Sequence, residues 1–142
     1  MSDPIYTVSS TSTGGGRDGK VASDAGHVDL VMAPPTEMGG NGQGANPEEL
    51  FSAGYAACFM GALRHTAKSN GHTVPDGATI TVKIGIGKDA ADGGFKLNAD
   101  ITAHLPGVDQ PTATAMAEAA HAFCPYSKAT RGNIEHTVTA TV

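Results

Sequence analysis

The sequence is poor in charge and in cysteine and has no long apolar run, and each shortage argues against a class of protein. Only 16% of its 142 residues are charged, and nine lysines and arginines stand against fourteen acidic residues, for a net charge of -5 at pH 7. This balance lacks the basic surplus that holds a nucleic-acid backbone. No apolar stretch approaches the roughly 18 residues that a membrane-spanning helix needs. We therefore expect neither nucleic acid nor a membrane as a partner.

Two cysteines are too few for the disulfide framework of a small secreted domain. The chain also opens without the basic and then apolar stretch of an export signal. We therefore expect a cytoplasmic protein with reduced thiols. With 39% hydrophobic residues and neither repeats nor a linker, residues 1–142 are predicted to form a single domain around one core.

The first third of the chain is predicted to form a small sheet followed by a loop. Residues 5–13, 20–22 and 27–32 are rich in β-branched or alternating apolar residues, which favours three short strands in a meander. A glycine-rich turn at residues 14–19 separates the first two strands. Residues 33–45 mix prolines with glycines and follow neither regular period, which indicates an ordered loop.

A long helix and a long hairpin are predicted next. Asn46 is a good helix cap, and Pro47 suits the first helical position because its missing N–H needs no partner there. We expect this helix to continue to about Asn70. Strict alternation of apolar residues over 80–86 and 95–105 predicts an antiparallel hairpin.

The last part of the chain predicts two helical segments and a strand. A second helix over residues 111–123 must end at Cys124, because Pro125 disfavours helical geometry in the residue before it. A short helix is expected to restart at Pro125, and residues 136–142 alternate as a final strand. The pattern predicts an α+β fold with antiparallel strands around a central helix.

The two cysteines are the main candidates for chemistry. Cys58 and Cys124 belong to no CxxC motif and to no zinc-binding spacing, so we predict no metal site. If the long helix breaks at Gly54, Cys58 lies in the first turn of the restarted helix, where the helix dipole lowers the thiol pKa. Cys124 precedes a helix start in the same way. Composition alone favours the alternative that both are small buried apolar residues.

Four sequence blocks occur in a distinctive order along the chain. The blocks are Gly15-Gly16-Arg17-Asp18-Gly19, Glu37-Met38-Gly39-Gly40, the run NPEELFSAGYAACF at residues 46–59, and the run CPYSKATRGN at residues 124–133. In this order they resemble the organic hydroperoxide resistance proteins, the Ohr branch of the Ohr/OsmC superfamily. The resemblance covers nearly the whole chain, and the two cysteine-containing blocks are specific in combination. It implies an Ohr/OsmC-like fold and an intertwined homodimer.

The resemblance implies a cysteine-based peroxidase of the oxidative stress response, an enzyme that reduces organic hydroperoxides. In this reading Cys58 attacks the peroxide and becomes a sulfenic acid, and Cys124 resolves it to a redox-active disulfide. Arg17 and Glu48 match the family's catalytic arginine and glutamate. The family is recycled by dithiols, typically lipoyl groups on a partner protein, and needs no cofactor.

Physical chemistry supports a role for Arg17 more directly than one for Glu48. A guanidinium near a thiol favours the thiolate and can hold a peroxide through its forked donors, whereas a carboxylate there would raise the thiol pKa. We therefore expect Glu48 to orient Arg17. Ten residues of unbroken helix separate Glu48 from Cys58 by ~15 Å, so we predict a bend at Gly54 or a site built from two chains. A solvated Arg17 and a Glu48 that only favours the helix start remain the alternatives.

Two other functions remain open. One is an OsmC-like thiol enzyme that acts on another electrophile, such as a thioester. The other is a thiol redox sensor that oxidises without turnover. Apolar side chains near the thiols suit an entrance that favours alkyl peroxides over hydrogen peroxide, although each of them taken singly is better explained as core. They are Phe51, Phe59, Phe123, Tyr126 and Met38.

Overall fold

A computed structural model describes residues 3–142 and divides them into two compact units, one that ends at Leu50 and one that spans Phe51–Val142. None of the described helices combines the length and hydrophobicity needed to cross a bilayer. The elements in chain order are β1 (Ser10–Thr13), β2 (Lys20–Ser23), β3 (Asp29–Val31), α1 (Pro47–Ser69), β4 (Thr79–Lys88), β5 (Phe95–His104), α2 (Gln110–Phe123), α3 (Pro125–Thr130) and β6 (Glu135–Thr141).

The first unit contains the predicted meander. Strands β1, β2 and β3 form an antiparallel sheet in that order. The first strand is shorter than residues 5–13, because its ladder with β2 ends at Ser10 opposite Ser23. Beyond that pair the Asp24 amide still donates to the Ser9 carbonyl at 2.9 Å. The predicted loop follows, ordered by a hydrogen bond of 2.9 Å from the Ala33 amide to the Ala45 carbonyl. Met38 lies exposed on a short 3-10 turn within it.

The ends of α1 confirm the sequence prediction. The Asn46 side chain accepts a hydrogen bond from the Glu49 amide at 2.8 Å, and Pro47 is the first helical residue. At the other end the chain turns at Gly71, which has a φ of 74°. The helix runs from Pro47 to Ser69 without a break, so the interruption at Gly54 that would have placed Cys58 at a helix start is absent.

The second unit places α1 in its core. The side chains of Tyr55, Phe59 and Leu63 on one face of α1 are fully buried. They belong to one apolar cluster with residues of the sheet and of α2, including Ile101 and Met116. This burial confirms a central helix that also carries Cys58.

The sheet of the second unit confirms the hairpin and corrects one strand direction. β4 and β5 pair antiparallel with Ile84 opposite Ala99. β6 pairs with β5 in parallel, with Val138 opposite Ile101, whereas the sequence predicted antiparallel strands throughout. The two helices between β5 and β6 carry the chain back toward the N-terminal end of β5. β6 therefore runs in the same direction as β5.

Candidate active site

The fold brings the two cysteines into contact. Their sulfur atoms lie 3.6 Å apart, and the Cys124 thiol donates toward the sulfur of Cys58. Cys58 lies on α1, and Cys124 is the single residue that ends α2 and caps α3. Because a disulfide bond is about 2.05 Å long, a shift of roughly 1.5 Å joins the two atoms. This contact is what the disulfide implied by the resemblance requires.

The two thiols differ in exposure. Cys124 is fully buried in the apolar cluster, whereas Cys58 is only half-buried. A reagent from solvent therefore meets Cys58 first and has Cys124 behind it. This asymmetry suits a pair in which one sulfur reacts and the other follows.

The electrostatic surroundings of Cys58 differ from the sequence prediction. Burial raises the pKa of the Cys58 thiol, the backbone N–H of Tyr126 opposes this shift, and the neighbouring Cys124 thiol adds to it. Because α1 is unbroken, Cys58 lies in mid-helix rather than at a helix start. The group that favours the thiolate is the backbone N–H of Tyr126. Tyr126 follows Pro125, the predicted first residue of the short helix α3.

Gly54 has a packing role instead of a hinge role. A Cβ atom at this position would lie 3.0 Å from the hydroxyl oxygen of Tyr126 and 3.3 Å from its ring. The Tyr126 ring stacks on Phe51 at 6.0 Å between centroids and lies 5.6 Å from the ring of Tyr55. The missing side chain thus lets Tyr126 approach α1.

The apolar residues considered for an entrance lie in different surroundings. Phe51 and Tyr126 form the stacked pair just described. Phe59 is fully buried and belongs to the core, the alternative that the sequence favours for each of these residues taken singly. Phe123 is exposed and stacks on His65 at 4.5 Å between ring centroids.

Arg17 and Glu48 form a two-pronged ion pair within the first unit. Two guanidinium nitrogens donate to the two carboxylate oxygens, at 3.0 and 2.6 Å. The hydrogen bond from Arg17 lowers the pKa of Glu48, and the same bond raises the pKa of Arg17. The carboxylate thereby fixes the guanidinium plane, as predicted, and leaves the arginine side chain 41% exposed.

The turn that carries Arg17 needs glycine at one position above all. A Cβ atom on Gly19 would lie 1.9 Å from the carbonyl oxygen of Thr13. The Gly19 amide also donates to the Gly16 carbonyl at 3.2 Å and closes the turn around Arg17. The glycine block seen in the sequence is therefore what allows the tight turn.

A cavity of about 340 Å³ lies beside Arg17 in the first unit. Apolar side chains make up most of its lining, and the arginine is the charged residue among them. Such a cavity suits a small organic group attached to a polar head. The other lining residues are Ser12, Gly16, Val21, Met32, Pro47 and Leu50.

A buried polar network near the thiols has no counterpart in the sequence predictions. The Tyr55 hydroxyl and the Ser127 hydroxyl lie 2.9 Å apart, and Ser127 is 3.0 Å from Nδ1 of His121. His136 bonds to Thr130 at 2.8 Å in the same region. In the described residues no group of three or more His, Cys, Asp or Glu side chains could hold a metal ion.

The fold and the paired thiols define a class, the small α+β proteins with two facing cysteines. A family model described as OsmC-like protein matches residues 40–139. The chain is 41% identical over 136 residues to an organic hydroperoxide resistance protein of Xanthomonas axonopodis pv. citri, which covers 95% of this chain and 94% of that protein. It is also 41% identical over 131 residues to the Bacillus subtilis organic hydroperoxide resistance protein OhrB, with 92% of this chain and 94% of that one covered.

Solved structures agree with these relatives. The crystal structure of an organic hydroperoxide resistance protein OsmC from Legionella pneumophila superposes with a TM-score of 0.92 at 38% identity and covers 99% of this chain and 100% of that one. The chain therefore belongs to the OsmC-like family and, within it, to the Ohr branch that the cysteine blocks predicted.

Proposed function

We propose that this protein is a thiol-dependent peroxidase that reduces organic hydroperoxides, including alkyl and fatty-acid hydroperoxides, to alcohols. The observation that carries the proposal is the half-buried Cys58 sulfur with the buried Cys124 sulfur 3.6 Å behind it. The names of the relatives support organic hydroperoxides as the substrate class. The largely apolar cavity beside Arg17 supports the same class over hydrogen peroxide.

The proposed reaction has three balanced steps. The Cys58 thiolate attacks one peroxide oxygen, so that an S–O bond forms, the O–O bond breaks, and the alkoxide leaves with a proton as the alcohol. The Cys124 thiol then attacks the oxidised sulfur, so that the S–S bond forms and the hydroxide leaves with the thiol proton as water. An external dithiol, such as a lipoyl group on a partner protein, reduces the disulfide by exchange and becomes a disulfide itself.

The Arg17–Glu48 pair is proposed to supply the missing charge stabilisation. Burial raises the pKa of Cys58, so the thiolate needs a cation to form at neutral pH. A guanidinium whose plane is fixed by a carboxylate meets that need and can bind the peroxide oxygens. Because α1 is unbroken at Gly54, the proposal adopts the other route named from the sequence, a homodimer in which two chains contribute to each site.

Steady-state kinetics with reduced lipoamide test the function. We expect turnover with cumyl hydroperoxide and a fatty-acid hydroperoxide, and a much lower kcat/KM with hydrogen peroxide. A redox sensor would instead consume one equivalent of peroxide per chain and stop. Turnover of a thioester without turnover of any hydroperoxide would identify a thiol enzyme for another electrophile and overturn the proposal.

Replacing Arg17 with alanine should raise the pKa of Cys58 further and slow the first attack by roughly tenfold or more. The loss removes the proposed cation but leaves both thiols in place. Thiolate absorbance, titrated against pH in a Cys124→Ser background, measures the pKa. Arg64→Ala is the matched control, because Arg64 is an exposed arginine on α1 outside the ion pair. An unchanged titration midpoint in Arg17→Ala would remove Arg17 from the site.

The same variant tests the homodimer. Chains with Cys58→Ser are expected to be inactive, and chains with Arg17→Ala are expected to keep about a tenth of the activity or less. If one subunit's arginine serves its partner's thiol, co-refolding the two variants rebuilds one complete site per mixed dimer and restores part of the activity. No recovery from a mixture shown to contain mixed dimers would contradict contribution from two chains.

A further inference from the structure

A buried hydrogen bond joins the two segments that carry the cysteines. Tyr55 and Ser127 are both fully buried, and their hydroxyl oxygens lie 2.9 Å apart across 72 positions of sequence. Tyr55 precedes Cys58 on α1 by three residues, and Ser127 follows Cys124 by three residues. The hydrogen bond therefore lies about one helical turn from the sulfur contact and links the same two segments.

His121 extends this hydrogen bond to a third side chain. Burial lowers the pKa of His121, with smaller contributions from His136 and Arg131, which favours the neutral ring. In the tautomer that carries its proton on Nε2, the ring accepts at Nδ1 from the Ser127 hydroxyl, which then accepts from the Tyr55 hydroxyl. Each hydroxyl proton then has a partner, and a chain of this kind in an apolar interior is stiff.

The reaction steps proposed above use neither hydroxyl group. Both nevertheless lie in the contact between α1 and α3. In the reduced protein the sulfur atoms are not bonded, and a small separation of the two segments would remove Cys124 from reach of Cys58. The Tyr55–Ser127 hydrogen bond is a second link between the same two segments, beside the sulfur contact.

We propose that Tyr55 and Ser127 are positioning residues that hold Cys124 against Cys58 and thereby favour the disulfide. The role of this link in turnover rests on the proposed function. Its effect on the disulfide itself does not, because any oxidant can form the bond. In the link's absence the two thiols spend less time in contact, which lowers their effective concentration for each other.

The thiol–disulfide equilibrium with dithiothreitol tests the proposal. Tyr55→Phe removes only the hydroxyl oxygen and keeps the buried ring, and Ser127→Ala removes the other partner. We expect each variant to lower the equilibrium constant for the Cys58–Cys124 disulfide about tenfold, a rise of about 30 mV in reduction potential. Thr66→Val is the matched control, since it removes a buried hydroxyl of α1 that bonds only within the helix. Its equilibrium constant should stay within twofold of the parent.

Single-turnover kinetics separate this effect from a general loss of stability. Formation of the sulfenic acid on Cys58 should keep its rate in Tyr55→Phe, while conversion to the disulfide slows about tenfold. Equilibrium constants within twofold of the parent in both variants would overturn the positioning role. The two proposals can fail separately. If the variants show the tenfold change but the parent protein consumes no hydroperoxide, the proposed function is overturned and the positioning role stands.

Discussion

Replacing Cys58 with serine is expected to lower the rate of organic hydroperoxide consumption by roughly a thousandfold or more. A serine hydroxyl stays protonated at neutral pH and cannot replace a thiolate in the attack on the O–O bond, and Cys124 cannot substitute because it is fully buried. The measurement is loss of cumyl hydroperoxide with reduced lipoamide as the electron donor.

A serine introduced at the neighbouring position 57 controls for the effect of adding a hydroxyl group to this part of α1. Ala57→Ser adds a hydroxyl at an exposed position of the same helix turn and leaves both sulfurs in place, so it should retain activity within a few-fold of the parent. Lipoamide-dependent turnover by Cys58→Ser within tenfold of the parent would eliminate Cys58 as the nucleophile.

The elements that the sequence predicts well are those with local causes. Asn46 and Pro47 set the start of α1 through contacts inside one turn, and Pro125 ends α2 at Cys124 because of a steric clash with its own neighbour. The β4–β5 hairpin follows from strict alternation on both sides of a short turn. None of these features depends on distant residues, so each can be inferred from a few positions.

The wrong predictions have distant causes. A glycine inside a helix weakens it locally, yet α1 continues through Gly54, and the space that its missing side chain leaves is filled by Tyr126, 72 positions later. The parallel direction of β6 depends on how α2 and α3 carry the chain back to the sheet, which no strand pattern records. For Cys58, burial in the assembled core outweighs the nearby amide, so its pKa rises.

The candidate site shows the same division. The resemblance of the four sequence blocks identified Cys58, Cys124, Arg17 and Glu48 as candidates. The structure places Cys58 against Cys124 and Arg17 against Glu48. The Tyr55–Ser127 bond was missed because a serine in a short helix carries no sign of burial. The hydrogen bond can be connected with the cysteines only in the folded structure, where it lies about one helical turn from the 3.6 Å sulfur contact.

Replacing Cys124 should preserve the first chemical step and abolish the second. Cys124 adds to the effect of burial in raising the pKa of Cys58, so its loss does not slow the initial attack. Without a second thiol, the sulfenic acid has no intramolecular partner and excess peroxide oxidises it to the sulfinic acid. Mass spectrometry of Cys124→Ser should therefore show Cys58 with one added oxygen atom at equimolar hydroperoxide and two in excess.

Cys124→Ala is the control for this experiment and should give the same result. The comparison separates the effect of losing the thiol from the effect of burying a serine hydroxyl in the core. An unmodified Cys58 in both variants would contradict its assignment as the sulfur that attacks the peroxide.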